Sequence, residues 1–418
     1  MVNDLGFTKN AAILNEIVSQ ATGRKLIAPI NREQFVAVGQ LGLKTGYDPL
    51  LNAISSVMGR TIFSVRPYEE KFKGLRKNTQ QFGDQTRKLS MMDSDWEENT
   101  EYDLNDGDSV DMYKIKKEHV LQTNYYGWHT YSRTMLVWRN QLNVAFSGPE
   151  EFNRFMGMKL QNVHDQIKQG NEEFARQAVV NLIGAVIHTA VSTPAIHPER
   201  IINLKTNYNA YAGTSLNYTD ILKPDNIIDF AKYFYAAMAD LIKRLSERTV
   251  LFHQNPKDAE APLARHSPRS KLKCYMYAPF MTLLDTAVHS EIFHNEYLKF
   301  MDYEPVSYWQ SVSQSDNVGS TGDNLFTDQR TAISGSVAYL SSDGTVTKGE
   351  LGTTASGDSM FPIVGVIFDE EACGYTVFDE HVNRTPWNAA GDYAKVYFKY
   401  TNRYWNDFTE NAVVLTLW

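Results

Sequence analysis

A chain of 418 residues suits two or three ordinary domains or one large elaborated domain, and 43% hydrophobic with 22% charged side chains excludes a wholly disordered one. A net charge of −8, from 41 basic and 49 acidic residues, argues against a protein that wraps nucleic acid, because phosphate binding needs clustered Lys and Arg. Two cysteines, Cys274 and Cys373, cannot build a disulfide framework or a zinc ribbon.

The leading segment MVNDLGFTKN has no apolar run of the secretory kind, which points to synthesis in a reducing cytosol. Residues 1–30 read as an arm. Within it, Asn10 to Gln20 places Ile13, Leu14, Ile17 and Val18 on one helical side. Helical spacing returns over 31–58, with Asp48-Pro49 as a helix start. RTIFSVRPY, residues 60–68, alternates like a strand that stops at Pro67.

The next stretch is the most unusual. Residues 66–88 carry seven basic side chains (Arg66, Lys71, Lys73, Arg76, Lys77, Arg87, Lys88) against three acidic ones. Residues 93–111 carry nine acidic side chains and no basic one, among them Asp93, Asp95, Glu97 and Glu98. Apolar residues are sparse, so the span has little of its own to bury. It reads as a projecting loop or hairpin with a positive and a negative half. Three partners fit such an arm: solvent, its own other half, or the opposite charge on a neighbouring subunit.

Residues 119–131, HVLQTNYYGWHTY, form an aromatic-rich strand. Ser147-Gly148-Pro149-Glu150-Glu151 then starts a long helix, with Pro early and two carboxylates at the positive dipole end. Its apolar repeat runs from 149 to about 191, and Gly170-Asn171 marks a possible kink or split. No heptad persists, which favours a structural spine over a coiled coil. The stretch from Ala178 to Val191 is too short and too polar to span a bilayer, in keeping with a mean hydropathy of −0.39. Residues 193–223 read as loop, and a second helix covers about 224–248 behind Pro224. A connector over 254–270, a strand over 272–277 and a helix over 280–290 follow. Residues 311–360 are rich in Ser, Gly, Thr and Asp and contain GSVAYLSSDGTVTKGEL, a hairpin pattern inside a β insertion. FPIVGVIF, residues 361–368, is a buried strand, and the C-terminus is two β runs separated near Trp405-Asn406-Asp407.

A search for chemistry is negative. Gly39 to Thr45 lacks phosphate-loop spacing, and there is no G-x-S-x-G, H-E-x-x-H or C-x-x-C. His289 and His294 fall on different helix faces, so they share no metal. Asp93-x-Asp95-x-Glu97 opens like a calcium loop, but Glu98 stands where a Gly is needed. The sequence assigns no catalytic residue, no cofactor and no metal. Aromatics reach 12%, which suits either a large core or subunit interfaces.

At the C-terminus the wording becomes specific. Gly365-Val366-Ile367-Phe368-Asp369-Glu370-Glu371-Ala372, then Tyr393 to Phe398, then Arg403-Tyr404-Trp405-Asn406-Asp407-Phe408-Thr409-Glu410-Asn411-Ala412-Val413-Val414-Leu415 resemble the ending of tailed-bacteriophage major capsid proteins, most of all those of small podoviruses and gut phages. The resemblance implies an α+β protein of the Hong Kong 97-type capsid fold. Residues 1–60 would be an N-terminal arm with leading helices and 61–118 the E-loop. Residues 119–200 would be the peripheral domain with its spine helix, completed by 392–418, its long sheet taking strands near 119–131 and 393–417. Residues 201–391 would be the axial domain, with the β insertion at about 311–360 as a surface decoration or a contact between capsomers. The implied function is an icosahedral shell around double-stranded DNA, built from hexamers and pentamers. Arg66, Lys71, Lys73, Arg76, Lys77, Asp93, Asp95, Glu97 and Glu98 would be inter-subunit contacts. A separate scaffolding protein and a portal would assist assembly, contact with packaged DNA would be incidental, and no membrane would be involved. The protein would be made in the bacterial cytoplasm and end in the virion. A tail or decoration component, or a hydrolase with an unfamiliar site, are the competing classes. Lys–Asn cross-linking has no matching motif here.

Overall fold

The computed structural model describes residues 7–24, 26, 28–46, 48–50, 53, 71–77, 85–92, 98, 103–111, 113, 119–192, 198–255, 263–289, 301–310, 333, 335–341, 345–351 and 363–417. The expected strand over 60–68 lies outside them. So do the flanks of the 311–360 segment.

One helix organises the rest. It runs unbroken from Pro149 to Ser192, 44 residues, or roughly 66 Å at about 1.5 Å per residue. Helices α1 (Phe7–Thr22), α2 (Arg32–Thr45) and α3 (Arg139–Ala145) precede it, so it is α4. The expected break at Gly170 does not occur. A Cβ there would sit 2.8 Å from the Tyr400 hydroxyl, so this glycine serves close approach of a strand.

The strands form two main sheets. The first has the order β1 (Arg76–Lys77), β11 (Cys373–Arg384), β12 (Tyr393–Asn406), β4 (His129–Trp138). The second has the order β5 (Ile201–Asn203), β13 (Ala412–Thr416), β10 (Ile363–Asp369), β6 (Leu272–Tyr277), β7 (Glu304–Val306). Two hairpin-like ribbons complete the set: β2 (Gln85–Met91) with β3 (Val120–Tyr126), and β8 (Gly335–Leu340) with β9 (Val346–Leu351).

Two hydrophobic clusters meet on α4. Its first half gives Phe152 and Val163 to a cluster with Leu14, Ile17 and Val18 of α1, Phe35 of α2, Met135 and Val137 of β4, and Val396 and Phe398 of β12. Its second half gives Ala178, Leu182, Ile183 and Val186 to the larger cluster, with β6, β10, β13 and α7 (Pro224–Ser246). The leading helices are thus docked on the spine, and the arm read over 1–30 does not project where it is described. Leu14, Ile17 and Val18 are fully buried there, as their spacing requires.

Several expectations change at strand level. The single strand read over 119–131 is two strands in different sheets. Gly127, with φ +85°, turns the chain between β3 and β4, a conformation natural only to glycine. The last run, β13, pairs with β10 and β5 in the five-stranded sheet, away from β12. β11, which the sequence reading passed over, supplies the long partner of β12 instead. The loop read over 193–223 contains β5, α5 (Leu204–Ala212) and α6 (Tyr218–Ile221). Asn203 caps α5 by accepting from the Lys205 and Thr206 amides, and Tyr208 packs edge-on to Phe230.

The β8–β9 hairpin was expected as a decoration or a capsomer contact, and its described part packs on the spine. Asn181 of α4 brackets Ala338, donating to its carbonyl at 3.1 Å and accepting from its amide at 2.7 Å. Gln254 donates to Leu340 O at 2.5 Å. A Cβ on Gly184 would lie 2.6 Å from Val337 and 2.9 Å from Leu351, so helix and hairpin approach too closely there for a larger side chain. Gly184→Leu is therefore expected to destabilise the unassembled protein by about 1–3 kcal/mol through overpacking. A lowered urea midpoint at unchanged slope is the outcome to look for.

Candidate assembly surface

The β2–β3 ribbon is antiparallel, in register from Gln85 opposite Tyr126 to Met91 opposite Val120. Alternation gives it two faces. Thr86, Lys88, Ser90, Leu121, Thr123 and Tyr125 turn toward the body. Leu89, Met91, Val120 and Tyr126 face out, at 61%, 58%, 51% and 76% exposure.

The inward face sits on the turn between β12 and β13. Lys88 Nζ donates to Asp407 Oδ2 at 2.8 Å and Glu410 Oε1 at 2.5 Å, and lies 3.2 Å from Glu371 Oε2. Arg265 Nη2 lies 3.1 Å from Glu410 Oε1 and donates to Ser90 Oγ at 2.8 Å. Arg403 Nη1 donates to Tyr125 O at 2.5 Å, and its Nη2 donates to Thr86 Oγ1 at 3.2 Å. The Tyr125 ring leans on Trp405 with centroids 5.1 Å apart. The turn holds its own shape: Asp407 Oδ1 accepts from the Thr409 amide at 2.9 Å and the Thr409 hydroxyl at 2.6 Å. Asp407 N donates to Ala372 O at 2.7 Å, and Ala412 N to Phe252 O at 2.9 Å.

The carboxylates of this network differ. Burial raises the Asp407 pKa, but attraction to Lys88 and the Lys88 and Thr409 hydrogen bonds outweigh it, and the net value falls below 3.8. Burial also raises Glu410, and Lys88 and Arg265 do not offset it, so its value stays above 4.5. Burial lowers the Lys88 ammonium, yet Asp407 and Glu410 hold it above 10.5. The arrangement fixes a strand pair to a body. It contains no nucleophile paired with a base.

The sequence-derived contact residues are dispersed. Arg66, Asp93, Asp95 and Glu97 lie outside the described residues. Glu98 is exposed. Lys71, Lys73, Arg76 and Lys77 do not lie on the ribbon. They belong to a segment built into the body, where Phe72 and Leu75 are buried and Arg76–Lys77 pair in parallel with Tyr375–Thr376. The boundary drawn at 61 thus puts body residues into the projecting span, because two apolar anchors were hidden among the charges. Sequence reasoning missed Asp407, Glu410, Arg265 and Arg403 as anchors. The polar run in WNDFTEN was the one signal for Asp407 and Glu410, and it looks like an exposed turn.

Among the described residues no three His, Cys, Asp or Glu side chains gather as metal ligands, and no helix is long and apolar enough to cross a membrane. Both cysteines are buried, and burial pushes their thiols up. His253 is fully buried, and burial pushes its pKa down to about 4 despite bonds to Asn411, Asn255 and Leu263.

The anchored ribbon with its exposed apolar face is a feature of an assembling structural protein. The sequence matches the Phi29-like phage major capsid protein family over residues 11–416, and the chain belongs to that family. It is a tailed-phage major capsid protein, a non-enzymatic virion component that forms the capsid shell. No curated protein sequence matches it. Among solved structures, a chain of native bacteriophage P68, from the structure of its head fibre and inner core protein gp22, aligns at TM-score 0.51 and 11% identity, covering 85% of this chain and 86% of that one. The capsid structure of Staphylococcus phage Andhra aligns at 0.47 and 12%, covering 86% and 87%. The asymmetric unit of the bacteriophage PhiM1 mature capsid aligns at 0.42 and 10%, covering 85% and 90%. The P68 likeness is one of fold alone, and the architecture of this chain is α+β.

The opposite pKa shifts set opposite mutational signs. Asp407 contributes stability that is complete above its ordinary value and lost as pH falls through its lower folded value. Glu410 favours its neutral form in the fold, so protonating it relieves a buried charge. Asp407→Asn is expected to cost about 3 kcal/mol at pH 7, as for one half of a buried pair. Glu410→Gln is expected to leave stability level or raised. Denaturant titration of the two variants at pH 7 tests both signs together.

Proposed function

We propose that the chain tiles an icosahedral shell around double-stranded DNA as hexamers and pentamers, with the β2–β3 ribbon and its 92–119 loop as an E-loop lying over a neighbouring copy. The observation that supports this best is the two-faced ribbon. Its inner face is locked to the body by Lys88, Arg265 and Arg403, so its outer apolar face is held exposed in a fixed place. Preorganised apolar surface of this kind favours association.

In this reading α4 is the spine. The sheet of β4, β12 and β11 belongs with it to the peripheral domain, and the five-stranded sheet with α7 is the axial domain. Heterologous contacts repeat and close under symmetry. Scaffolding and portal proteins take part during assembly, as the family resemblance implies. A net charge of −8 suits a wall that does not grip its genome, so DNA contact is incidental. The charged residues 66–77 and 93–98 set register between copies, each pair contributing little alone.

Negative-stain microscopy of the protein, expressed with and without phage assembly genes, tests the reading. Shells or capsomers are expected. A monomer that never assembles would falsify it. Leu89→Glu with Met91→Glu is expected to abolish particles while leaving the monomer melting temperature within a few degrees. Reversing Asp93, Asp95, Glu97 and Glu98 to Lys is expected to lower particle yield more than monomer stability. Wild-type yields from both variants would remove the ribbon and its loop from the assembly mechanism.

A further inference from the structure

The fold gathers cations that are scattered in the sequence. Phe72 stacks on Tyr275 of β6 with centroids 4.9 Å apart, and Leu75 is buried at the other end of the turn 73–75. That packing brings Lys71 to Arg269 and Lys273 around a cleft of about 660 Å³, and the Lys273 ammonium lies beside Gly74. Lys73 is exposed on the same turn. Lys71, Lys73 and Lys273 make no ion pair among the described residues.

The complementary feature is on the loop between β2 and β3. Asp103, Asp106, Asp108 and Asp111 are all exposed, and none pairs with a cation among the described residues. The tip is a closed turn. Asp108 N donates to Asn105 O at 3.0 Å, and Asn105 N donates to Asp108 Oδ2 at 3.2 Å. Gly107 takes φ +100°, which holds the turn and leaves Asp106 at its apex. A preformed tip loses little entropy on docking.

Resting on the shell reading above, we infer that the cleft lined by Lys71, Arg269 and Lys273, with Lys73 exposed on the adjoining turn, receives the 103–111 acidic tip of a second copy. Every copy presents both halves, so the contact is heterologous and can propagate around a shell. A polyanion such as packaged DNA fits less well. Asp302 and Glu304 also line the cleft and divide its positive charge into separate sites, which suits spaced single carboxylates better than a continuous phosphate chain. A tip whose carboxylates are separated by neutral residues places single charges among single ammonium groups. Such pairs are individually weak and gain effect by repetition.

A charge swap tests this in the full chain expressed with the phage assembly genes. Lys71→Glu, Lys73→Glu and Lys273→Glu together form one variant, and Asp103→Lys, Asp106→Lys, Asp108→Lys and Asp111→Lys another. Each alone is expected to cut particle yield roughly tenfold, with monomer melting unchanged. Combining all seven in one chain is expected to restore yield to within about threefold of wild type. Wild-type yield from the cleft variant overturns the inference, as does a combined variant no better than its parents. Normal shells that release DNA at lower salt also overturn it and assign the cleft to the genome. Zero-length carbodiimide cross-linking of wild-type particles from mixed isotopic labels gives a readout free of variants. Inter-copy links between 103–111 and Lys71, Lys73 or Lys273 are expected, and their absence counts against the pairing. Failure of wild-type protein to assemble at all would instead strike the shell reading.

Discussion

A helix of 44 residues whose second half is buried on nearly every side can be covered only from several directions at once. That constraint shapes the whole fold. Residues 182–187 are buried without interruption. The β8–β9 hairpin, strands from both main sheets and the core around α7 share the covering. The first half is half-exposed and takes α1, α2 and β12 on its apolar side. Because one rigid rod belongs to both hydrophobic clusters, the two sheets cannot shift independently without opening packed surface. Gly170 and Gly184 mark where Tyr400 on one side and Val337 on another come close to the helix. Close packing makes the tile stiff.

The buried charges at the β12–β13 turn act on orientation more than on stability. Removing ions from water is costly, and a buried pair often gains little over apolar residues of the same volume. Lys88 with Asp407 and Glu410 nonetheless gives the ribbon one seating on the body. An apolar seating could slide, whereas hydrogen bonds from Lys88, Arg265 and Arg403 to defined oxygens cannot shift by a residue without leaving charges unmet. The raised Glu410 value shows the same tension. Two cations serve two buried carboxylates, and the second is incompletely compensated. A ribbon that must meet a neighbour at a fixed angle gains from this kind of specification.

The sequence revealed most where periodicity was strong. Pro149 and its two following glutamates, then the apolar repeat, located the spine to within a residue at each end. Pro224 located α7, and the Ser-Asp-Gly hairpin pattern located β8–β9. It failed where a local signal has two tertiary outcomes. β13 is a short apolar run, and nothing in AVVLT says which of two sheets it joins. β11 carries Asp379, Glu380, His381 and Arg384, so it does not read as an apolar strand, although it pairs along its length with β12. Residues 71–77 read as part of a charged arm because Phe72 and Leu75 are only two apolar residues among the cations. Both are buried, Phe72 against Tyr275, about two hundred positions away, a contact that no local window contains. The Asp407–Asn411 turn is polar yet buried, and only its Lys88 and Arg265 partners, distant in sequence, account for that.

Rigidity and weak contact belong together in a shell. A flexible tile would need strong contacts to hold its angle, and strong contacts would trap every misplaced copy. Here the orientation is set inside the subunit, by the spine and the Lys88 network, before any neighbour arrives. In the proposed shell the surfaces left for neighbours can be modest: an apolar stripe of four side chains on the ribbon, and aspartates and lysines that form no ion pair among the described residues. Single contacts of that size dissociate readily. A subunit placed correctly makes several at once, and their combined effect grows with the number of neighbours engaged. Error correction and final stability thus come from the same interactions, separated only by how many are formed at a time.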